Sequence, residues 1–197
     1  MAVYFDFREP WLAAAVQEIT PRIEAAGYVV PENIKISCGM APGARGSKKI
    51  MGTAVSQVAS ADGRRETFIN PILADALAVV KVVFHEVGHH VVGVDAGHGQ
   101  PFKEFCRKLG LVGKATEALP GPELTAWIEQ HVLPVLGEYP HASLDPNARK
   151  KQGTRMIKLV CPETGYTVRT TKKWLALGVP TSPAGCEMVL AEDDAEE

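Results

Sequence analysis

The chain has 197 residues, 46% of them hydrophobic, and a net charge of −2, which suits one ordinary domain plus a small appendage and excludes a disordered chain or a polycation. Its longest apolar stretch, Ile72 to Phe84, is interrupted by Asp75 and Lys81 and is too short to cross a bilayer. The first residues lack the basic segment and long apolar run of a secretion signal, and the four cysteines (Cys38, Cys106, Cys161, Cys186) show no disulfide-framework spacing. These features predict a cytoplasmic protein with free thiols and no membrane partner, with a monomer favoured.

The charge is unevenly placed. Between Asn147 and Lys173 stand Arg149, Lys150, Lys151, Arg155, Lys158, Arg169, Lys172 and Lys173, opposed by Glu163 alone, whereas Glu187 to Glu197 carries six acids and no base. Such a distribution suits either a surface facing nucleic acid or two segments that screen each other.

In chain order, Trp11, Leu12, Ala15, Val16, Ile19 and Ile23 line one face of a helix that Pro10 opens and Gly27 stops, with Pro21 expected to kink or divide it. Ile34 to Cys38 alternates like a half-buried strand, and a loop rich in glycine and base (Arg45, Lys48, Lys49) follows. Ile50 to Val58 and Glu66 to Ile69 read as strands joined through Ala61-Asp62-Gly63, giving a small, mostly antiparallel sheet. Asn70-Pro71 then predicts the start of a helix running to about Val92, apolar nearly all round and therefore in the core. A turn, Asp95 to Gly99, leads to a helix from Pro101 to Gly110, and another helix is expected from about Glu123 to Leu136. Beyond a linker, Met156 to Val160 and Tyr166 to Val168 read as short strands of a separate module.

The chemistry concentrates in His85-Glu86-Val87-Gly88-His89. Histidines four apart on a helix project from one face and can share an ion, and the intervening Glu86 lies beside it, placed to take a proton from water. Burying His85, Glu86, His89 and His90 in an apolar helix is costly unless something pairs them, and a metal ion does so. Zinc with three protein ligands and an open position is the expected form. Val92 and Asp95 stand where a metzincin would need glycine and histidine. For the third ligand His98 is favoured, because Gly97 and Gly99 let the backbone fold back towards the helix; Asp95, Glu104, Glu117 and Glu123 remain alternatives.

The run Gly97-His98-Gly99-Gln100-Pro101-Phe102 after H-E-x-x-H resembles the SprT-like metallopeptidase family, whose pattern is H-E-x-x-H, a short loop and G-H-G-x-x-F, and which includes the Spartan proteases of DNA–protein crosslinks. Ile69-Asn70-Pro71 and Tyr139-Pro140-His141 are also similar to its phage and actinobacterial members. The resemblance covers about Trp11 to Leu144. It implies an α+β, zincin-like metallopeptidase domain, with His85, His89 and His98 holding one catalytic Zn2+ and Glu86 as general base. His90, Tyr139 and His141 are candidates for a transition-state donor or an outer-shell role.

Family members often end in a zinc ribbon with a cysteine pair in each half. Here Cys161 and Cys186 stand alone, with Thr164 and either Ser182 or Ala184 where further thiolates would fall. Two thiolates do not complete a tetrahedral structural site, so a degenerate zinc-ribbon-like module without metal is expected, held by Trp174, Leu175, Leu177, Val179 and Met188. The predicted organisation is a zincin-like domain over 1–144, a basic linker over 145–155, the degenerate ribbon over 156–190 and an acidic, disordered tail over 191–197. The expected function is metal-assisted hydrolysis of peptide bonds in a protein or peptide substrate. DNA is a candidate partner through Arg45, Lys48, Lys49, Arg149, Lys150, Lys151, Arg155, Lys172 and Lys173. The alternatives are a catalytically idle, zinc-containing DNA- or protein-binding module and a hydrolase of non-peptide amides.

Overall fold

The computed structural model describes residues 4–41, 50–145, 148 and 156–191. The chain divides into two compact units, Met1–Pro146 and Asn147–Glu197. Both mix helices with small sheets, an α+β arrangement, and among the described residues no helix is long and apolar enough to cross a membrane.

In the first unit, helix α1 (Arg8–Ala25) buries Trp11, Leu12, Ala15, Ile19 and Ile23, the stripe expected from their spacing. Pro21 lies inside α1 without dividing it. Both Pro21 and Gln17, whose carbonyl loses its partner there, are exposed, so water can take over that bond.

Strands β1 (Ile34–Cys38), β2 (Gly52–Val55) and β3 (Arg65–Ile69) form one sheet in the order β1-β3-β2. β2 pairs antiparallel with β3, Gly52 facing Ile69, but β1 runs parallel to β3, with Ile34 facing Arg65. This sheet is therefore mixed rather than mostly antiparallel. The hairpin signal at Asp62-Gly63 concerned only the local pairing, whereas β1 reaches β3 by a crossover that leaves no turn signature in the sequence.

Helix α2 (Ala76–Val92) starts five residues later than its expected Pro71 start. Asn70 closes a turn instead, its side chain accepting from the Ile72 N–H (3.1 Å), and Asp75 is the true cap, accepting from the Ala78 N–H at 2.8 Å. A short 3-10 turn, Val94–Ala96, leads to α3 (Gln100–Leu109), which Gly110 ends in the left-handed conformation at φ 79°. β4 (Leu111–Val112) and β5 (Leu119–Pro120) pair antiparallel. The last helical stretch is α4 (Pro122–Trp127), a π turn over Ile128–Val132, and α5 (Leu133–Leu136). The widened turn precedes Pro134, which has no N–H to donate and whose ring would crowd the carbonyl four residues back.

The core of this unit joins α1, α2, α3 and the π turn through Trp11, Phe84, Phe102, Phe105 and Ile128, all fully buried. One polar side chain organises its edge. Arg8, 5% exposed, uses all five of its N–H groups: Nε donates to Pro140 O (2.8 Å), Nη1 to Pro71 O (3.1 Å) and Cys38 Sγ (3.2 Å), and Nη2 to Ala142 O (2.9 Å) and His141 O (3.2 Å). Its guanidinium also lies 4.7 Å over the Tyr139 ring. The segment it grips runs on along the Asn70-Pro71 turn, with Ser143 Oγ donating to Ile72 O and Leu144 N–H to Pro71 O.

In the second unit, β6 (Ile157–Val160) lies between β7 (Thr167–Thr170) and β8 (Val189–Leu190), antiparallel to both. Leu159, Cys161 and Met188 make its small core, with Leu175 and Cys186 against it. Trp174, Leu177 and Val179, expected to hold this module together, are instead exposed at 57%, 77% and 42%. Trp174 sits on a four-residue helix, α6 (Lys172–Leu175), too short to turn a second apolar face inward.

Arg8→Met should destabilise the protein by about 3–5 kcal/mol, because it leaves four part-buried carbonyls without their donor and empties a buried site. Arg8→Lys should recover less than half, since one ammonium does not span five acceptors. Urea unfolding checks this; a loss under ~1 kcal/mol for Arg8→Met would remove the arginine from its organising role.

Candidate metal centre

Helix α2 carries His85, Glu86, His89 and His90 on its buried C-terminal half. His85 and His89, one turn apart, bring their Nε2 atoms to 3.3 Å, about the separation of two nitrogens on one tetrahedral ion at ~2.05 Å. His85 Nδ1 donates to Ala118 O at 2.7 Å, which fixes the tautomer and leaves the Nε2 lone pair free.

His98 comes from the turn after α2. Gly97 there takes φ 50°, open to glycine without strain, and Gly99 has no room for a Cβ, which would fall 2.9 Å from Ala96 O. The chain thereby folds back so that ligand atoms of His85, His89 and His98 all lie within 4.8 Å of one another. His98 Nε2 is buried and has no hydrogen-bond partner. An orphaned, buried ring nitrogen beside two others is costly by itself and fits a metal ion as the missing partner. Among the described residues this is the one group of three or more histidine, cysteine or acidic side chains so arranged. The alternatives for a third ligand do not join it. Glu104 pairs with Lys108, Glu123 with Arg22, Asp95 is exposed, and Glu117 lies on the wall of the cleft.

Burial lowers the His85 pKa, and burial followed by the neighbouring imidazoles lowers His89 to about 3, so both rings are neutral near pH 7, the form that ligates metal. Glu86 shifts the other way. Burial raises it to about 7, against a smaller opposing effect from the Ala54 N–H that its carboxylate accepts. The carboxylate reaches β2 because residue 52 is glycine: a Cβ there would come within 2.6 Å of Glu86 Cγ and Oε1. Phe102 of α3 closes the site from behind, its ring stacked on His89 at 4.1 Å and 9°.

His85, Glu86, His89 and His98 line a cleft of about 510 Å³, within the size range of ligand pockets. One wall is Ile50 to Ala54, leading into and along β2 at the sheet edge; the other includes Thr116, Glu117 and Leu119.

His90, Tyr139 and His141 do not line this cleft. His90 faces β3, its Nε2 2.8 Å from Thr67 Oγ1, and burial, followed by the Arg65 charge, lowers it to about 4. Tyr139 packs edge-on against Trp11 at 4.8 Å, and His141 lies near Phe7. Their proximity in the sequence motif reflects the Arg8 anchorage rather than the site. Lys172 and Lys173 are exposed on α6; Arg45, Lys48, Lys49, Arg149, Lys150, Lys151 and Arg155 lie outside the described residues. Sequence reasoning missed Arg8, Gly52, Thr67 and Ala118. A glycine inside an alternating strand is a signal for Gly52, but a backbone acceptor such as Ala118 O leaves none.

In the second unit two turns face each other, Cys161 to Tyr166 and Ser182 to Cys186. Each contains a glycine at positive φ, Gly165 at 70° and Gly185 at 82°. Cys161 is hydrogen-bonded by Ser182, then Thr164, which hold its thiol down at about 6. Ser182, not Ala184, is thus the residue that reaches it. Both cysteines are free thiols.

Comparison with protein-family profiles, curated proteins and solved structures finds no match to this chain.

Purified protein should carry one metal ion per chain, and His98→Ala should bind it at least tenfold more weakly, by elemental analysis and chelator competition. Two ions per chain would show that the second unit also holds metal. Glu86 supplies a pH signature. A carboxyl raised from 4.5 to about 7 contributes stability that is full below pH 4.5 and is lost as the pH rises through about 7. In chelator, Glu86→Gln should therefore match the wild type at pH 4.5 and exceed it by up to about 3 kcal/mol at pH 8. A difference independent of pH, measured by urea unfolding, would contradict burial as the cause.

Proposed function

We propose that this chain is a zinc-dependent metallopeptidase of the SprT-like, zincin type, with a degenerate zinc ribbon as its second unit. The observation that carries the reading is the convergence of His85, His89 and His98, with a desolvated Glu86 beside them in an open cleft. A purely structural ion has no use for a buried carboxylate next to a cleft. Three imidazoles with a position left for water suit zinc.

A zinc ion in that set supplies Lewis acidity, lowering the pKa of a water towards ~7 and polarising a carbonyl. Glu86, tethered by the Ala54 N–H, accepts the proton lost by the attacking water and delivers it to the departing amine. The Ala118 carbonyl keeps His85 in the ligating tautomer throughout. Thr53 and Thr116 carry the hydroxyls on the cleft walls and are the donors available to a developing oxyanion, in place of His90, Tyr139 and His141. The β2 edge favours an extended peptide over a compact small amide. DNA, held by the basic residues that include Lys172 and Lys173, would bring the enzyme to DNA-bound proteins.

Zinc-loaded protein should cleave casein or itself, lose that activity to a chelator, and gain rate with single-stranded DNA. Glu86→Gln should retain zinc and lose at least a thousandfold in rate. Zinc-loaded wild type that cleaves no protein substrate with or without DNA would remove the hydrolytic reading, and an active Glu86→Gln would remove Glu86 from it.

A further inference from the structure

One side chain touches all three imidazoles. The Phe102 ring stacks on His89 (4.1 Å, 9°), meets His85 obliquely (5.0 Å, 63°) and presents itself edge-on to His98 (5.4 Å, 90°). It is fully buried, so it cannot swing away into solvent. From this juxtaposition we infer that Phe102 is a positioning residue for the metal, the common surface that fixes the planes of all three ligating rings. The inference rests on reading those rings as metal ligands.

The arrangement has a reason at each step. A helical turn separates His85 from His89 and sets their spacing, but not the rotation of either ring about its own bond to the chain. Only His85 has a hydrogen bond to a fixed acceptor, Ala118 O. His98 has none, and His89 has only the neighbouring His85 nitrogen. For those two rings, aromatic contact is the constraint available. A parallel stack and a perpendicular edge are both favourable arrangements of aromatic planes, and one phenyl supplies the two at once.

Phe105, one turn further along α3, has its ring centroid 6.1 Å from that of Phe102 at 25° and makes no ring contact with the imidazoles. Phe105 in turn occupies the space over Gly88 where any Cβ would collide with its ring. Gly88 within the H-E-V-G-H segment therefore lets α3 approach α2 closely enough for Phe102 to reach the site. His98 and Phe102 are four residues apart on one continuous segment, so the third ligand and its support arrive together.

The test compares Phe102→Leu with Phe105→Leu. Both remove a fully buried phenyl from the same helix, but only the first touches the imidazoles. Metal affinity is measured by chelator competition on the full chain, with the visible spectrum of the cobalt(II) form reporting ligand geometry. Phe102→Leu should lose ten- to a hundredfold in affinity and shift and weaken the cobalt bands, with Phe105→Leu within about threefold of wild type. Phe102→Met, which refills the volume with a flexible chain, is read in parallel and should also lose at least tenfold, deciding the outcome should the leucine variant not fold. Wild-type affinity in the folded Phe102 variants, or an equal loss in Phe105→Leu, overturns the inference alone. A wild-type protein that binds neither zinc nor cobalt removes the metal-centre reading with it.

Discussion

Four consecutive turns of an apolar helix end in a cluster of polar side chains buried to within a few per cent, and the rest of the first unit is arranged around satisfying them. A buried imidazole or carboxylate without a partner costs enough to consume much of a domain's net stability. The fold sends a different neighbour to each. Ala118, from the loop before β5, reaches His85; the Ala54 backbone reaches Glu86; Thr67 of β3 reaches His90. The nitrogens of His89 and His98 face each other and His85, a set that could hold a metal ion. The position of β2 and the glycine at residue 52 follow from the same need, since a side chain there would push the carboxylate away.

Much of this was legible beforehand because it depends on spacing. The i, i+4 histidines, the glycines flanking residue 98 and the stripe of α1 encode geometry within a few residues, and the structure brings His98 to the pair on α2 as their spacing suggests. What was not legible depends on chain segments distant in sequence. The parallel pairing of β1 with β3 has no turn to announce it. Asn70-Pro71 has the composition of a helix start, yet Asp75 is the residue whose side chain meets an amide of the first turn. Tyr139 and His141 stood out through the resemblance carried by Tyr139-Pro140-His141; in space they belong to the anchorage of α1. Arg8 reads as an ordinary surface residue at the head of an amphipathic helix, and only the tertiary fold reveals five acceptors around it.

The second unit is a small module built around two turns that face each other. Its turns keep their glycines at positive φ, and Ser182 and Thr164 hydrogen-bond to Cys161. Hydrogen bonds of this kind are weaker and less demanding than metal coordination, and the core of Leu159, Cys161 and Met188 is correspondingly slight. That several of its large apolar side chains remain exposed is the expected result of a core too small to take them in.

The grip of Arg8 on residues 140 to 142 spans 132 to 134 positions of sequence, which brings the entry and exit of the first unit to one spot on its surface. A unit that starts and finishes at the same place can be inserted into another protein's loop, or fused at either end, without stretching its own framework. The same clamp makes the opening helix a late requirement for the emerging chain: until residue 142 has been made, the guanidinium has no carbonyls of that segment to close upon, and the last strap of the unit must be synthesised before the first residue of α1 can be locked.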